Sequence, residues 1–272
     1  MPVIDRFAWF GLDVPIQVRG HTSDPLLFIP GMGVHPRHYE PGIDRLARHF
    51  TVIVPDLSFG SNRRLPRDYA GYVDCVQAIA DRYAPGAPRT GHSLGGLLAL
   101  QGDGPAVALS PLLPLPLGWI RQVWRAARLQ LRAYSGAEGA RGARWALAML
   151  VNYMTMALTA PRKLFPALAC THTEFSEAFG VRAPTARLVL GRFDHLYRRA
   201  EYRGFAKRAG LAAENLRWLP HGHDWPVTRP AAVEAEVVAA LAHAASERPT
   251  GLRRSGNRPR RTSAFSSGRE RS

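Results

Sequence analysis

Apolar runs of strand length alternate with stretches of helical spacing over roughly the first 110 residues, and again after about residue 185. Arg6–Gly11 and Pro15–Gly20 read as two short strands joined by a turn. Leu26–Pro30 (LLFIP) and Thr51–Pro55 (TVIVP) are continuous apolar strands of the buried type. Between them, Tyr39–Phe50 places Ile43, Leu46 and Phe50 on one helical face. Asp68 stands where it can cap a helix over Tyr69–Tyr83, whose apolar positions include Tyr72, Val76 and Ile79. Leu94–Leu100 is built of helix formers, and Ala106–Leu109 (AVAL) is a further strand. The alternation resumes with strand Ala186–Leu190, a helix over Leu196–Gly210 and strand Leu216–Leu219. A last helix over Ala231–Ala245 is opened by Pro230, whose fixed φ suits a first helical turn. Repeated strand–helix units of this kind predict an α/β protein with a mainly parallel central sheet flanked by helices.

Three stretches depart from the pattern. Ala84–Thr90 (APGAPRT) should be a strand by its place in the alternation, yet it lacks β-branched and aromatic residues and carries two prolines. The strand there is expected to be short. From Ser110 to about Phe179 the chain is first proline-broken and apolar, then arginine-rich with helical spacing over Ile120–Ala133. It continues, after a glycine-rich turn, as the long apolar run Ala143–Ala160. Arg144 and Asn152 interrupt that run, which is barely of membrane-spanning length, so a buried or lid helix is the expectation. Met149, Met154 and Met156 could line an adaptable apolar pocket or simply pack in a core. From Glu247 onward the sequence has no apolar periodicity and is expected to be disordered.

The net charge of +15 raises the question of nucleic acid as a partner. Of the 36 basic residues all but Lys163 and Lys207 are arginine, a bias that base composition can produce without any binding role. The charge is also uneven, with eight arginines and two glutamates after residue 246. Any attraction to anionic surfaces therefore belongs mainly to the 247–272 tail, and a solvated tail without a role is the plainer expectation. Cys75 and Cys170 are the only cysteines, which fits reduced thiols better than a disulfide framework. The N-terminal residues lack a basic stretch followed by a long apolar run, so no signal peptide is read and a cytoplasmic location is expected.

Chemistry concentrates at Gly91-His92-Ser93-Leu94-Gly95-Gly96. This G-x-S-x-G pattern places a serine on a sharp strand-to-helix turn, where side chains two residues either side would collide. The pentapeptide alone is a common chance match, so its partners decide its worth. A serine hydroxyl needs a base in contact and a third group to orient that base. Such groups should lie at the C-terminal ends of strands, where a parallel sheet opens its crevice. Asp194 follows the strand ARLVL, and His221 and His223 follow the strand LRWL in Pro220-His221-Gly222-His223-Asp224-Trp225-Pro226. Asp56, after TVIVP, is an alternative carboxylate. No pair of histidines at helical i, i+4 spacing encloses a glutamate, so no metal is implied, and no glycine pattern for a nucleotide is present. No cofactor is expected.

With these segments assembled, residues 1–246 resemble the α/β-hydrolase fold family, in its serine esterase and lipase branch. GHSLGG resembles the nucleophile elbow, LVLGRFDHL the acid segment, and HGHDWP the histidine loop. IPGMG is similar to the oxyanion loop and DLSFGSNRR to the loop after the fourth strand. The resemblance implies a core of residues 1–110 and 180–246, with a helical cap inserted over 111–179. It implies Ser93 as nucleophile, Asp194 as acid and His223 as base, with His221 the rival imidazole and Asp56 bracing its own loop. Backbone N–H groups of Met32 and Leu94 would form the oxyanion hole. Gly31, Gly33, His92 and Trp225 are candidates for lining the substrate pocket, and His195 and Asp224 read as loop residues. Two departures stand out: the feeble strand before the elbow, and Pro30-Gly31 where many relatives have His-Gly.

The activity implied is cleavage of a carboxylic ester or related acyl bond in a small, apolar substrate. Thioesterase, amidase, carbon–carbon hydrolase and acyltransferase chemistry share this machinery, and a ligand-binding protein without turnover could keep the fold.

Overall fold

The computed structural model describes residues 3–58, 66, 68–113, 181–183 and 185–246, with the single positions 144, 147, 151 and 158. The expected cap beyond residue 113, its methionines, Cys170 and the 247–272 tail lie outside the described residues, apart from those single positions.

Eight strands form one sheet, in the order β1-β2-β4-β3-β5-β6-β7-β8. They are β1 (Val3–Trp9), β2 (Leu12–Arg19), β3 (Pro25–Ile29), β4 (Thr51–Pro55), β5 (Arg89–His92), β6 (Ala106–Leu109), β7 (Ala186–Gly191) and β8 (Leu216–Leu219). The β1–β2 and β2–β4 pairs are antiparallel and every other pair is parallel. The α-helices whose bounds fall among the described residues are α1 (Glu40–Leu46), α2 (Tyr69–Tyr83), α3 (Leu94–Ala99), α4 (Arg199–Arg208), α5 (Trp225–Thr228) and α6 (Pro230–Ser246).

Side-chain alternation along the buried strands divides the core in two. Leu27 and Ile29 of β3 join Ile53, Leu188 and Leu190 on the face covered by α2, α3 and α4. Leu26 and Phe28 join Val52, Val54, Val107 and Val189 on the opposite face, against α1 and α6. Both faces are covered, which is why these strands read as continuous apolar runs.

The pattern placed most elements correctly. Thr51–Pro55, Tyr69–Tyr83, Ala106–Leu109 and Leu216–Leu219 fall where the sequence put them. Asp68 caps α2, its Oδ1 accepting the Gly71 N–H over 2.8 Å. The segment before the elbow is short, as expected: β5 begins directly after Pro88 and has four residues, all buried. It still sits in mid-sheet, because β3 and β6 bond it from both sides. Arg89 survives there by reaching out to Gln77 Oε1 over 2.8 Å.

Three boundaries differ. The first hairpin turns at Phe10–Gly11, earlier than Pro15 suggested, with φ of 43° and 77°. Two successive positive φ values match the twist of a two-residue hairpin, and glycine supplies the second without strain. The expected helix over Tyr39–Phe50 is instead a 3-10 turn at Pro36–Tyr39 followed by α1, which stops at Leu46. The expected helix over Leu196–Gly210 shortens to α4, because Asp194 draws the N–H groups of Leu196 and Tyr197 to its own carboxylate. Among the described residues no helix is long and apolar enough to cross a membrane.

Candidate active site

Ser93 occupies the turn between β5 and α3 with φ 56° and ψ −118°, a conformation that non-glycine residues rarely adopt. The backbone around it is pinned from several directions. Its N–H donates to the Leu109 carbonyl over 3.1 Å, and its own carbonyl accepts from Leu97 at 3.1 Å and Leu112 at 2.8 Å. The flanking glycines are required: Gly91 is confined by Gly95 across the turn, as the sequence pointed to, and Gly95 by the end of β3. A Cβ on Gly95 would stand 2.1 Å from the Ile29 carbonyl oxygen, and one on Gly91 would stand 2.4 Å from the Gly95 carbonyl oxygen. The elbow is therefore jammed against the end of β3, and the clash is with main chain that has no room to give.

Asp194 follows β7 and is fully satisfied. Its Oδ1 accepts the N–H groups of Leu196 (2.7 Å) and Tyr197 (3.1 Å). Its Oδ2 accepts from Tyr202 Oη (2.7 Å) and His223 Nδ1 (2.8 Å). Burial by itself would raise the carboxyl pKa. The His223 charge and hydrogen bond, with His195 and Tyr202, outweigh burial and bring it down to about 2. Tyr202 answers in the opposite sense: burial, and then the neighbouring Asp194 charge, push its phenol well above the ordinary value.

His223 lies on the loop after β8, buried against His92 (ring centroids 5.0 Å) and His195 (5.6 Å). Burial opposes a charge on its ring, but the Asp194 carboxylate and its hydrogen bond prevail, and the imidazole pKa is raised. Because Nδ1 faces a carboxylate, Nδ1 carries the proton in the neutral ring and Nε2 holds the lone pair. Nε2 is buried and has no hydrogen-bond partner among the described residues.

The other candidates distribute plainly. His221 lies beside Trp225, ring centroids 6.4 Å apart, so Asp194 engages His223 and not His221. Asp56 accepts the Ser58 N–H at 3.0 Å and lies 3.3 Å from His35 Nε2, in the loop-bracing place the resemblance implied. Gly33 takes φ 69° in the loop after β3, and Met32 packs partly buried against the core beneath it. Leu94 opens α3 directly after Ser93. Two pocket candidates turn inward instead. Trp225 is fully buried in the second core, its Nε1–H donating to Ser110 Oγ at 3.2 Å. His92 is buried with both ring nitrogens engaged, Nδ1 on Tyr39 Oη at 2.7 Å and Nε2 on the His223 carbonyl at 3.2 Å.

Tyr39, Tyr202 and Ser110 were not singled out from sequence. Ser110, with φ 41°, uses its Oγ to accept from Gly191 N–H at 3.3 Å as well as from Trp225, tying the ends of β6 and β7 to the histidine loop. A buried serine ending a core strand was its one visible signal. His92, His223 and Asp224 bring potential ligand atoms within 4.8 Å of one another. One of the three is committed elsewhere, since His92 uses both ring nitrogens in hydrogen bonds. The donor set poorly suits a cation.

A sequence model described as the alpha/beta hydrolase family matches residues 26–236. The solved structures that this one is similar to include a membrane phospholipase A described as a bacterial virulence factor. That match has TM-score 0.67 and 16% identity, and covers 89% of this chain and 86% of the other. They also include the enol-lactonase of Burkholderia xenovorans LB400, with TM-score 0.64, 16% identity, and 88% and 100% of the two chains covered. A thermophilic esterase of Thermogutta terrifontis gives TM-score 0.64 and 19% identity, over 89% and 98%. At these identities the likeness shows the fold. No curated protein matches the sequence.

Proposed function

The chain belongs to the alpha/beta hydrolase family, and from that premise we propose that it is a serine hydrolase that cleaves a carboxylic ester or related acyl bond. The observation that carries the proposal is His223. Its Nδ1 is held by Asp194 at 2.8 Å while its Nε2 is buried and has no partner among the described residues, on the same buried cluster as the residue preceding Ser93.

In this reading Ser93 Oγ attacks the substrate carbonyl as His223 Nε2 takes its proton. Asp194 stabilises the imidazolium that forms; its low pKa keeps it ionised throughout. Backbone N–H groups of Leu94 and Met32 receive the developing oxyanion, a role in which each fixed donor is worth about 3 kcal/mol. His223 then returns the proton to the leaving group and activates the water that clears the acyl-enzyme. The esterase and lactonase activities named for two structural neighbours agree with acyl chemistry of this kind. An apolar acyl substrate remains part of the proposal, as does the basic tail as a contact for anionic surfaces.

Labelling with a fluorophosphonate probe tests the reading. The wild type should be labelled and Ser93→Ala should not. Labelling that survives the substitution would assign the nucleophile elsewhere.

A further inference from the structure

A chain of hydrogen bonds joins the three loops that the proposed reaction uses. The Gly31 N–H donates to Tyr39 Oη at 3.1 Å. Tyr39 Oη and His92 Nδ1 lie 2.7 Å apart. His92 Nε2 lies 3.2 Å from the main-chain carbonyl of His223. The direction of every proton in the chain follows from its two ends. A carbonyl oxygen only accepts, so His92 Nε2 must carry the hydrogen. The neutral ring then offers Nδ1 as an acceptor, and Tyr39 must donate to it. That leaves a lone pair on Tyr39 Oη for the Gly31 N–H, which can only donate.

Every member is buried, and each lies next to a residue of the proposed machinery. Gly31 precedes Met32, His92 precedes Ser93, and the carbonyl belongs to His223 itself. The geometry points to Tyr39 and His92 as positioning residues, which hold the oxyanion loop, the nucleophile turn and the base in one register. This role rests on the hydrolase reading above. Neither residue touches the reacting atoms, and His92 acts as a neutral strut. Burial first, and then the neighbouring His223, lower its pKa to about 3, so it takes no proton in the range where His223 titrates. The fit also explains Gly31: a Cβ there would lie 3.0 Å from Tyr39 Oη and 3.3 Å from His92 Nδ1.

Tyr39→Phe removes one hydroxyl and leaves the ring in the core, so the fold should persist. We expect kcat for ester hydrolysis to fall about tenfold with KM within about twofold, as misplacement of catalytic groups produces. His92→Leu, which breaks both links, should lower kcat further, and His92→Gln, which keeps a donor for the His223 carbonyl, should recover part of that loss. Histidine-15N NMR provides a readout that turnover does not affect. His92 should be the Nε2–H tautomer, and its Nδ1 resonance should move toward the non-hydrogen-bonded value in Tyr39→Phe. An Nδ1–H tautomer at His92, or a Tyr39→Phe enzyme with unchanged kcat, would overturn the proposal while leaving Ser93 labelling intact. A wild type that neither hydrolyses esters nor labels would sink the hydrolase reading and the positioning role together, with the tautomer still reporting whether the chain of bonds exists.

Discussion

Tyr202 donates its hydroxyl to Asp194 Oδ2 over 2.7 Å, the same oxygen that accepts from His223 Nδ1 at 2.8 Å. The two donors share one atom of a buried carboxylate, so each limits what the other can draw from it. Tyr202 lies eight residues after Asp194, on α4, and anchors the acid from the helix side.

Tyr202→Phe should leave Asp194 with three donors and a less stabilised charge. A hydrogen bond to a buried ion contributes about 1.5–3 kcal/mol, so thermal denaturation should show a loss of that size. Activity should fall only severalfold, because His223 remains in place. An unchanged melting temperature would mean that the Tyr202 contact carries no net stability.

On the proposed reading, the raised pKa of His223 should set an acid limb of kcat/KM above the ordinary imidazole value of 6.5, since only the neutral ring could take the serine proton. Its effect on stability has the opposite sign. A raised folded pKa contributes stability that is complete below 6.5 and fades as pH rises through the folded value. His92 acts in the other window: lowered to about 3, it leaves the unfolded chain binding more protons between that value and 6.5, so stability falls as the solution is acidified. Asp194, lowered from 3.8 to about 2, adds a further loss in acid. Melting temperature against pH should therefore peak near neutrality while activity is still rising. A pH–rate profile and a series of melts read both, and an acid limb at or below 6.5 would count against the Asp194–His223 coupling.

Ser93→Gly separates activity from stability. The serine holds φ 56° and ψ −118°, strain on the order of 1–3 kcal/mol for a residue with a Cβ. Glycine relieves it, less about 0.5–1 kcal/mol of added chain entropy. The variant should be unlabelled by fluorophosphonate yet melt higher than the wild type. A lower melting temperature would place the strain elsewhere.

Glycine to alanine should have very different effects at two positions. At Gly95 the new Cβ meets the main-chain oxygens of Ile29 at 2.1 Å and Pro30 at 2.4 Å, and neither strand nor elbow can retreat without breaking the sheet. A loss of about 3 kcal/mol or more is expected. At Gly86 (φ 70°) nothing lies within 4 Å, so only the left-handed backbone opposes the change, at about 1 kcal/mol. Denaturant melts of the two variants check the contrast, and equal losses would refute the steric account of the elbow.

The sheet was largely legible because its strands are buried on both faces. Runs such as TVIVP and AVAL have one physical explanation at that length, and the helices between them show their apolar faces at helical spacing. Arg89–His92 was legible only by its place in the alternation; its strand form comes from the bonds of β3 and β6 on either side. The elbow glycines were legible as a pair, but the Ile29 carbonyl that makes Gly95 necessary was not, since it comes from a strand more than sixty residues earlier.

By itself, the sequence determined the α/β alternation, the strained serine turn and the order in which a serine, an aspartate and a histidine reach the strand ends. Those are local properties: backbone strain, capping and apolar periodicity act over a few residues. The tertiary structure decided which groups meet. Tyr39 found His92 across fifty-three positions, Asp194 took His223 over His221, and the ring next to Ser93 turned into the core because strand register fixes the face on which each side chain emerges. Hydrogen-bond partners are chosen in space, after packing has set the strands side by side, and spacing along the chain carries no record of that choice.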